Sequence, residues 1–183
     1  MHDPDIRSHL HAAFAADGIA YVEEVTVRNN RIDMLAMLDG VLTGIEIKSS
    51  HDTLGRLPAQ KRAYRSRFRH LIIVTEASHL AGVRAGLPPW WGIWLATAEN
   101  SDVTLERSAA PARAAGDSGK AQPALLAALL FVSELKAALG LDPDCETRKA
   151  ALIAQLCEQP IEQLERLVLA GLIERRRRRA EGA

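Results

Sequence analysis

Glu46 and Lys48 are an acidic and a basic residue that stand two positions apart in the strand-like segment 44–49. Side chains alternate across a β-strand, so the two charged groups would leave the same face, about 7 Å apart along the chain. The apolar residues Ile45 and Ile47 would leave the opposite face. The spacing therefore predicts a carboxylate and an ammonium group that share one surface.

Asp33 lies in the preceding strand-like segment, between the apolar residues Ile32 and Met34, where an unpaired charge would be costly to bury. If the two segments form a tight hairpin, its carboxylate lies within reach of Glu46. Neighbouring carboxylates repel each other, and a hard divalent cation with oxygen ligands is the simplest group that stabilises such a pair. A salt bridge with Lys48 across the hairpin is an equally good interpretation of these three residues alone.

The elements that must position these residues are predicted to form an antiparallel meander. Three strand-like segments, residues 19–27, 31–38 and 41–49, follow one another with short turns between them. The second turn is Asp39-Gly40, which is a hairpin signal. This turn would bring the segments that carry Asp33 and Glu46 side by side.

A helix precedes the meander, and a helix and a strand follow it. Asp3 or Asp5 lies near the start of the first helix, and Gly18 is its expected end. Residues 57–68 favour a second helix, and the β-branched segment 71–75 is typical of a strand covered on both faces. The order of helix, three strands, helix and strand indicates an α/β fold.

The composition changes after residue 108. Before this point, residues 77–85 favour a helix, and residues 91–98 favour a strand with 103–107 as its partner. Residues 109–122 are rich in Ala, Pro, Gly and Ser, which bury too little apolar surface to order themselves. We therefore predict a linker at 109–122.

The linker divides the chain in our interpretation. We predict an α/β domain at residues 1–108 and a helical C-terminal extension at residues 123–183. Within the extension, apolar residues recur at helical spacing in three stretches. These stretches are residues 123–139, 145–157 and 161–178.

The net charge is zero, with 23 basic and 23 acidic residues, which argues against nucleic-acid binding by bulk charge alone. The distribution is uneven, because no acid lies between Asp52 and Glu76. Six basic residues occupy that window: Arg56, Lys61, Arg62, Arg65, Arg67 and Arg69. A solvated helix face and a phosphate-binding helix are both consistent with this pattern. Five arginines follow Glu174, and we expect them to form a frayed, basic helix end rather than an element that reads a nucleic-acid groove.

The charged residues belong to a wider sequence pattern between residues 23 and 92. Its members are Glu23-Glu24, Arg31-Ile32-Asp33, Glu46-Ile47-Lys48-Ser49, Asp52-Thr53-Leu54, Arg56-Leu57-Pro58, Gln60, Tyr64, His79-Leu80 and Pro89-Trp90-Trp91-Gly92. The pattern resembles the PD-(D/E)XK nuclease superfamily, and within it a small bacterial and phage family. The literal Pro-Asp of the superfamily is replaced by Ile32-Asp33, which keeps the acidic residue.

The resemblance implies a restriction-endonuclease-like αβββαβ core, with a mixed central sheet flanked by helices. It implies that Asp33 and Glu46 bind Mg²⁺ or Mn²⁺, with the carbonyl of Ile47 as a third ligand. Lys48 would orient or deprotonate the attacking water. The additional acid would be Glu24 or, as the alternative, Glu23.

For the substrate, the resemblance implies nucleic acid, with DNA favoured over RNA, in repair, restriction or phage biology. Five residues are predicted to bind it: Gln60, Tyr64, Arg56, Lys61 and Arg65. Two alternatives stay open at this point. One is a non-catalytic nucleic-acid-binding module with the same fold, and the other is a protein whose C-terminal helices bind a partner or form a homodimer.

Other residue types give weaker signals. Trp90 and Trp91 follow two prolines and fit a core position better than base stacking. The histidines lack zinc-ligand spacing, and Cys145 and Cys157 lack a C-x-x-C pairing. No apolar segment approaches the roughly 20 residues that a membrane-spanning helix needs, and no signal-peptide pattern is evident. We therefore expect a cytoplasmic protein.

Overall fold

The computed structural model describes residues 2–97, 102–109 and 121–182. The helices in these ranges are α1 (Asp3–Ala16), α2 (Leu57–Tyr64), α3 (Ala77–Gly86), α4 (Pro123–Ala127), α5 (Val132–Ala138), α6 (Lys149–Leu156) and α7 (Ile161–Glu181). The strands are β1 (Tyr21–Val27), β2 (Asn30–Leu38), β3 (Val41–Lys48), β4 (His70–Thr75), β5 (Gly92–Thr97) and β6 (Asp102–Arg107).

These described strands form one six-stranded mixed sheet in the order β1-β2-β3-β4-β5-β6. Strands β1, β2 and β3 pair in antiparallel fashion, which confirms the predicted meander. Strand β4 is parallel to β3 and β5 is parallel to β4, whereas β6 returns antiparallel to β5. The protein is therefore of the α/β class, with a mixed sheet at its centre.

The turn between β2 and β3 has the conformation that its sequence predicts. Asp39 and Gly40 have φ angles of 49° and 75°, and a two-residue hairpin of this kind requires positive φ at both positions. Aspartate and glycine tolerate that conformation better than other residues. The turn thereby fixes the register that sets Met34 opposite Ile45.

Helix α1 covers one face of the sheet. Its buried side chains include Ile6, Leu10 and Phe14, and they join a core cluster with Ile45 and Ile47. The apolar residues of β3 therefore face α1, as the alternation along that strand predicts. The charged residues of β3, Glu46 and Lys48, are left for the opposite face.

The C-terminal helices cover that opposite face together with α2. Leu164, Val168 and Leu172 of α7 belong to the same buried cluster as Ile32 and Leu35 of β2. The C-terminal segment thus completes the main core of the sheet and has no core of its own within the described residues. The division between residues 1–108 and 123–183 stays a prediction about the sequence, since the two parts share this core.

A buried carboxylate fixes α7 to the sheet. Glu165 is 1% exposed and accepts a hydrogen bond from the backbone N–H of Leu42 at 3.1 Å. The guanidinium of Arg69 donates to both carboxylate oxygens, at 2.8 and 2.9 Å. This pairing also uses one arginine of the predicted basic segment for structure.

Two predicted helices are shorter in the structure. Helix α2 ends at Tyr64, and residues 65–67 form a turn in which the Arg67 amide donates to the Tyr64 carbonyl. The predicted helix 123–139 is divided into α4 and α5. The break occurs where the Phe131 N–H donates to the Glu134 carboxylate at 2.7 Å instead of to a preceding carbonyl.

Other boundaries also differ. The helix predicted from residue 145 begins at Lys149, and α7 is helical through the arginines as far as Glu181. The arginine segment is therefore not a frayed tail. Most of the predicted linker, residues 110–120, and residue 98 of the predicted strand lie outside the described residues. Within the described parts of the chain, no helix has the length and apolarity that crossing a membrane requires.

Candidate functional site

A polar cleft of about 970 Å³ opens beside the carboxyl end of β3. Helix α1, the β1–β2 turn and the segment after β3 contribute its walls. The charged residues that line it are Asp3, Arg7, Glu24, Arg28, Arg31, Asp33, Glu46, Lys48, Asp52 and Arg56. The cleft therefore contains the acid pair and the lysine that the sequence singles out.

An irregularity in both β1 and β2 opens two carboxylates onto this cleft. The strand register pairs Glu23 with Met34 and Val25 with Ile32, and it skips Glu24 and Asp33 between them. Glu24 has a φ of 58°, which is rare for a non-glycine residue and most unusual inside a strand. A sparsely populated backbone conformation of this kind is held by its surroundings and is common at functional sites.

Asp33 is docked against β3 next to Glu46. Its Oδ2 accepts a hydrogen bond from the backbone N–H of Ile47 at 2.8 Å, and its Oδ1 accepts one from the Arg7 guanidinium at 2.7 Å. Burial raises the pKa of Asp33 above its ordinary value, although the Ile47 amide and the positive charge of Arg7 act in the opposite direction. The neighbouring strand therefore positions this carboxylate.

Glu46 is almost completely buried, with 2% exposure, and three side chains hold it. Its Oε1 accepts a hydrogen bond from Lys48 Nζ at 2.7 Å and another from the Gln60 amide. The Tyr64 hydroxyl lies 3.3 Å from Oε2. Burial and the negative charge of Asp33 raise the pKa of Glu46 to about 7, against the opposing effect of Lys48. The two carboxylates thus interact electrostatically within one site.

The segment after β3 is fixed by a side-chain turn. The Asp52 carboxylate accepts hydrogen bonds from the Ser49 N–H at 2.9 Å and the Ser49 hydroxyl at 2.8 Å. An aspartate that caps the backbone in this way stabilises a tight turn. It positions Arg56 at the rim of the cleft.

The donor atoms at the site fit a hard divalent cation. Asp33 and Glu46 supply carboxylate oxygens, and the Oε1 of Gln60 is buried without a hydrogen-bond partner among the described residues. In the same residues, no group of three or more His, Cys, Asp or Glu side chains is arranged to hold a metal ion. Two carboxylates with neutral oxygens and water still match Mg²⁺, which keeps several of its waters when it binds to proteins.

Arg7 of α1 is a site residue that sequence reasoning missed. Besides Asp33, its guanidinium contacts Glu24 at 3.2 Å and Glu23 at 3.3 Å, and it also binds Asp3. One signal was available, because Arg7 is the sole Lys or Arg in the first 27 residues, which include several acids. Its helical position did not reveal that α1 packs beside β2.

One protein-family model matches most of the chain. The model of the family described as bacteriophage P4 protein cII matches residues 10–180 of the chain. This chain belongs to the bacteriophage P4 protein cII family. In this P4 cII family member, the match includes the sheet, Asp33, Glu46, Lys48 and all but the last residue of α7, whereas Arg7 precedes it.

No curated protein matches the sequence. A solved structure of a protein of unknown function from Silicibacter pomeroyi is similar, with 24% sequence identity and a TM-score of 0.47. The similarity covers 67% of this chain and 77% of that protein.

The structure separates the two candidates for an additional acid. Glu24 lines the cleft with Asp33 and Glu46. Glu23 is not among the described residues that line the cleft; it contacts His11 at 3.0 Å and lines the neighbouring groove. The positive φ of Glu24 interrupts the strand alternation at this point, and both carboxylates contact Arg7.

The predicted substrate-binding residues are divided in this P4 cII family member. Arg56 and Gln60 line the cleft, and Tyr64 contacts Glu46 from beneath. Lys61 and Arg65 are not among the described residues that line it, and Lys61 instead donates to the Gly86 carbonyl at 3.0 Å. Helical spacing turns these two positions away from the face that carries Gln60 and Tyr64, so their role in substrate binding stays a prediction outside the cleft.

Trp90 and Trp91 are 1% and 0% exposed. Both belong to the main core cluster beneath the sheet. The interpretation as core residues is therefore confirmed, since a ring that stacks on a base must reach the surface.

Proposed function

We propose that this P4 cII family protein is a metal-dependent nuclease of the PD-(D/E)XK type that hydrolyses phosphodiester bonds, with DNA as the favoured substrate. One observation carries the proposal. Asp33 is docked on the Ile47 amide beside Glu46, and Lys48 contacts the same Glu46 carboxylate, so two acids and a lysine open onto one cleft.

The order and pairing of the elements support this proposal. The sequence of α1, three antiparallel strands, α2 and a strand parallel to β3 agrees with the restriction-endonuclease-like core that the resemblance implies. Asp33 and Glu46 lie on β2 and β3, the two strands of one hairpin, in the order that the resemblance implies. The family is named for a bacteriophage protein, which is compatible with a role in phage biology.

The chemistry requires each residue to have a distinct role. Mg²⁺ or Mn²⁺ held by Asp33, Glu46 and the Ile47 carbonyl would supply electrostatic stabilisation of the charge that develops on the phosphate. Lys48 can orient the attacking water through its ammonium group. Glu24 contributes a further carboxylate at the rim of the cleft.

Three further side chains support these roles. Gln60 and Tyr64 hold Glu46 in place. Arg56 at the rim can donate charge-assisted hydrogen bonds to a substrate phosphate. Such contacts position a nucleic acid without reading its sequence.

Cleavage assays test the proposal with matched variants. Purified protein is incubated with Mg²⁺ or Mn²⁺ and with plasmid, linear, single-stranded or branched DNA and with RNA. We expect metal-dependent cleavage that falls by at least about 100-fold in Asp33→Asn, Glu46→Gln and Lys48→Met, because each change removes a group that acts in the transition state.

Asp39→Asn is the control for Asp33→Asn. It makes the same isosteric change in the same hairpin, at an exposed turn position where asparagine tolerates the positive φ of 49°. Its activity should match that of the wild type. Absence of cleavage of every substrate by the wild type contradicts the proposal.

A second candidate is a non-catalytic nucleic-acid-binding module, and one observation favours it. Glu46 is already hydrogen bonded by Lys48, Gln60 and Tyr64, and Arg7 occupies one oxygen of Asp33. Calorimetry separates the two functions. Mn²⁺ binding that is lost in Asp33→Ala supports the enzyme, whereas salt-sensitive DNA binding that is indifferent to metal supports the module.

A further inference from the structure

The arginine segment of α7 has two faces with different surroundings. Arg177 and Arg178 pair with Glu174 at 2.8 and 2.7 Å, and Arg177 also pairs with Glu181. Arg176 and Arg179 lie on another face, three residues apart, and line a groove of about 420 Å³ against β1. Helical spacing therefore separates a neutralised arginine pair from a pair that faces a cavity.

The groove contains further arginines from other elements. Arg28 at the β1–β2 turn, Arg67 after α2 and Arg175 of α7 also line it. Five guanidinium groups from three parts of the chain thus converge on one cavity. Such convergence is not explained by the local sequence of any one of these elements.

Arg67 is the most informative of these residues. It is 7% exposed, and its Nη1 donates to the Ala63 carbonyl at 3.0 Å. Its Nε is buried without a hydrogen-bond partner in the described part of the chain. Burial and the nearby charge of Arg28 lower the pKa of Arg67. A buried cation that lacks an acidic partner is unfavourable, and an anion in the groove would satisfy it.

The acids near the groove are already engaged. Glu23 contacts Arg7 and His11 at 3.3 and 3.0 Å, and it reaches Arg176 only at 4.0 Å. Glu24 contacts Arg7 and Arg31.

The groove arginines differ in their own partners. Arg175 is paired with Glu134 and stacks on Phe131 at 3.9 Å. No carboxylate among the described residues forms an ion pair with Arg28, Arg67 or Arg179. The groove therefore keeps an excess of positive charge.

The groove adjoins the cleft. Glu24, Thr26 and Arg28 line both cavities, so the two are neighbours at β1 and the following turn. A linear polyanion that lies in the groove would therefore run toward the cleft. Separate small anions would not require this proximity.

We propose that the groove between β1 and α7 binds the phosphodiester backbone of a nucleic acid whose neighbouring phosphate lies in the cleft. The role of the cleft rests on the proposed nuclease function, whereas binding in the groove is measured independently of cleavage. Guanidinium groups suit this ligand because they bind phosphate oxygens with two parallel hydrogen bonds.

The test compares two double variants that remove the same number of charges from one helix. Arg176→Ala with Arg179→Ala changes the groove face, and Arg177→Ala with Arg178→Ala changes the neutralised face. Binding of a short fluorescein-labelled DNA duplex, and of single-stranded DNA and RNA, is measured by anisotropy in EDTA at several KCl concentrations. EDTA prevents metal-dependent cleavage, so the anisotropy reports binding alone.

We expect the groove-face variant to bind nucleic acid about tenfold more weakly than the wild type. The slope of log K against log salt concentration should also be shallower by about two, since each lost phosphate contact lowers this slope by about one. The control variant should stay within about twofold of the wild type, because exposed charges at a distance are screened by salt. The variant Arg28→Asn should also weaken binding, and asparagine tolerates the left-handed backbone conformation at this turn position. Circular dichroism melts verify that each variant is folded.

The groove proposal is overturned if both double variants lose nucleic-acid affinity equally, or if the wild-type protein binds no nucleic acid. Loss in the groove-face variant alone supports it, and a loss confined to DNA or to RNA identifies the ligand. The outcome for the nuclease proposal is separate. If the wild type does not cleave nucleic acid but the groove-face variant still loses binding, the groove proposal is supported and the nuclease proposal is contradicted. If the wild type cleaves nucleic acid but the groove-face variant binds as tightly as the wild type, the nuclease proposal is supported and the groove proposal is contradicted.

Discussion

At the scale of single residues, the site is defined by how its carboxylates are held. Both oxygens of Asp33 have partners, and Glu46 has three. Such contacts pre-organise the acids, but they must be rearranged or shared when a cation binds. The contact between Arg7 and Asp33 is central here, because the guanidinium is a positive charge next to a proposed metal ligand.

We expect Arg7→Met to bind Mn²⁺ more tightly and to be less stable without metal. Removal of one positive charge near the site eliminates repulsion worth about 1.4 kcal/mol, which corresponds to roughly a tenfold lower Kd. The metal-free protein loses the cation shared by Asp3, Glu23, Glu24 and Asp33. Calorimetry with Mn²⁺ and thermal unfolding in EDTA measure the two effects.

Arg7→Lys is the conservative control for this variant. It keeps the positive charge, so its Mn²⁺ affinity should stay close to that of the wild type. Weaker Mn²⁺ binding by Arg7→Met would mean that Arg7 positions Asp33 for the metal rather than competing with it.

At the scale of elements, the structure depends on how α7 is attached to the sheet. The helix supplies apolar side chains to the core, and it supplies the Glu165 carboxylate to the Leu42 amide and to Arg69. A charged contact buried beside an apolar interface requires that all of its hydrogen-bonding groups be satisfied. This contact therefore also fixes the position of the groove arginines farther along α7.

We expect Glu165→Ala to lower the free energy of unfolding by about 3 kcal/mol, because it leaves the buried Leu42 amide and Arg69 without their acceptor. Glu162→Ala is the matched control, since Glu162 lies on the same helix and contacts the same Arg69 at 3.4 Å but is exposed. Its effect should stay below about 1 kcal/mol. Urea denaturation of both variants gives the comparison, and equal effects would show that burial of Glu165 does not matter.

At the scale of the whole molecule, the sheet and the C-terminal helices share one buried core. The main core cluster joins β1, β2 and β4 with α4, α6 and α7. Removal of the helices would expose an apolar sheet face to water. Large exposed apolar surfaces of this kind lead to aggregation rather than to a stable smaller domain.

We expect a chain of residues 1–108 not to unfold cooperatively, because it lacks Leu126, Leu164, Val168 and Leu172 of the shared core. Calorimetry and binding of a hydrophobic dye measure this, with the full chain as reference. Addition of the separate segment 121–183 should restore a cooperative transition. A sharp melt of 1–108 alone would instead support the domain division predicted from the sequence.

The sequence by itself determined the features that depend on local spacing. Alternation along β3 gave Glu46 and Lys48 one face and Ile45 and Ile47 the other, and Asp39-Gly40 gave the hairpin that brings Asp33 beside them. These features follow from the two-residue period of a strand and from the φ angles that a tight turn requires.

Only the tertiary structure decided which elements meet. Arg7 contacts Asp33 from 26 positions away, and Glu165 contacts Leu42 from 123 positions away. The same packing placed Glu24 at the cleft and brought Arg176 and Arg179 of α7 against β1. Local periodicity fixes the direction of a side chain on its own element, whereas its partners depend on apolar contacts distributed over the whole core.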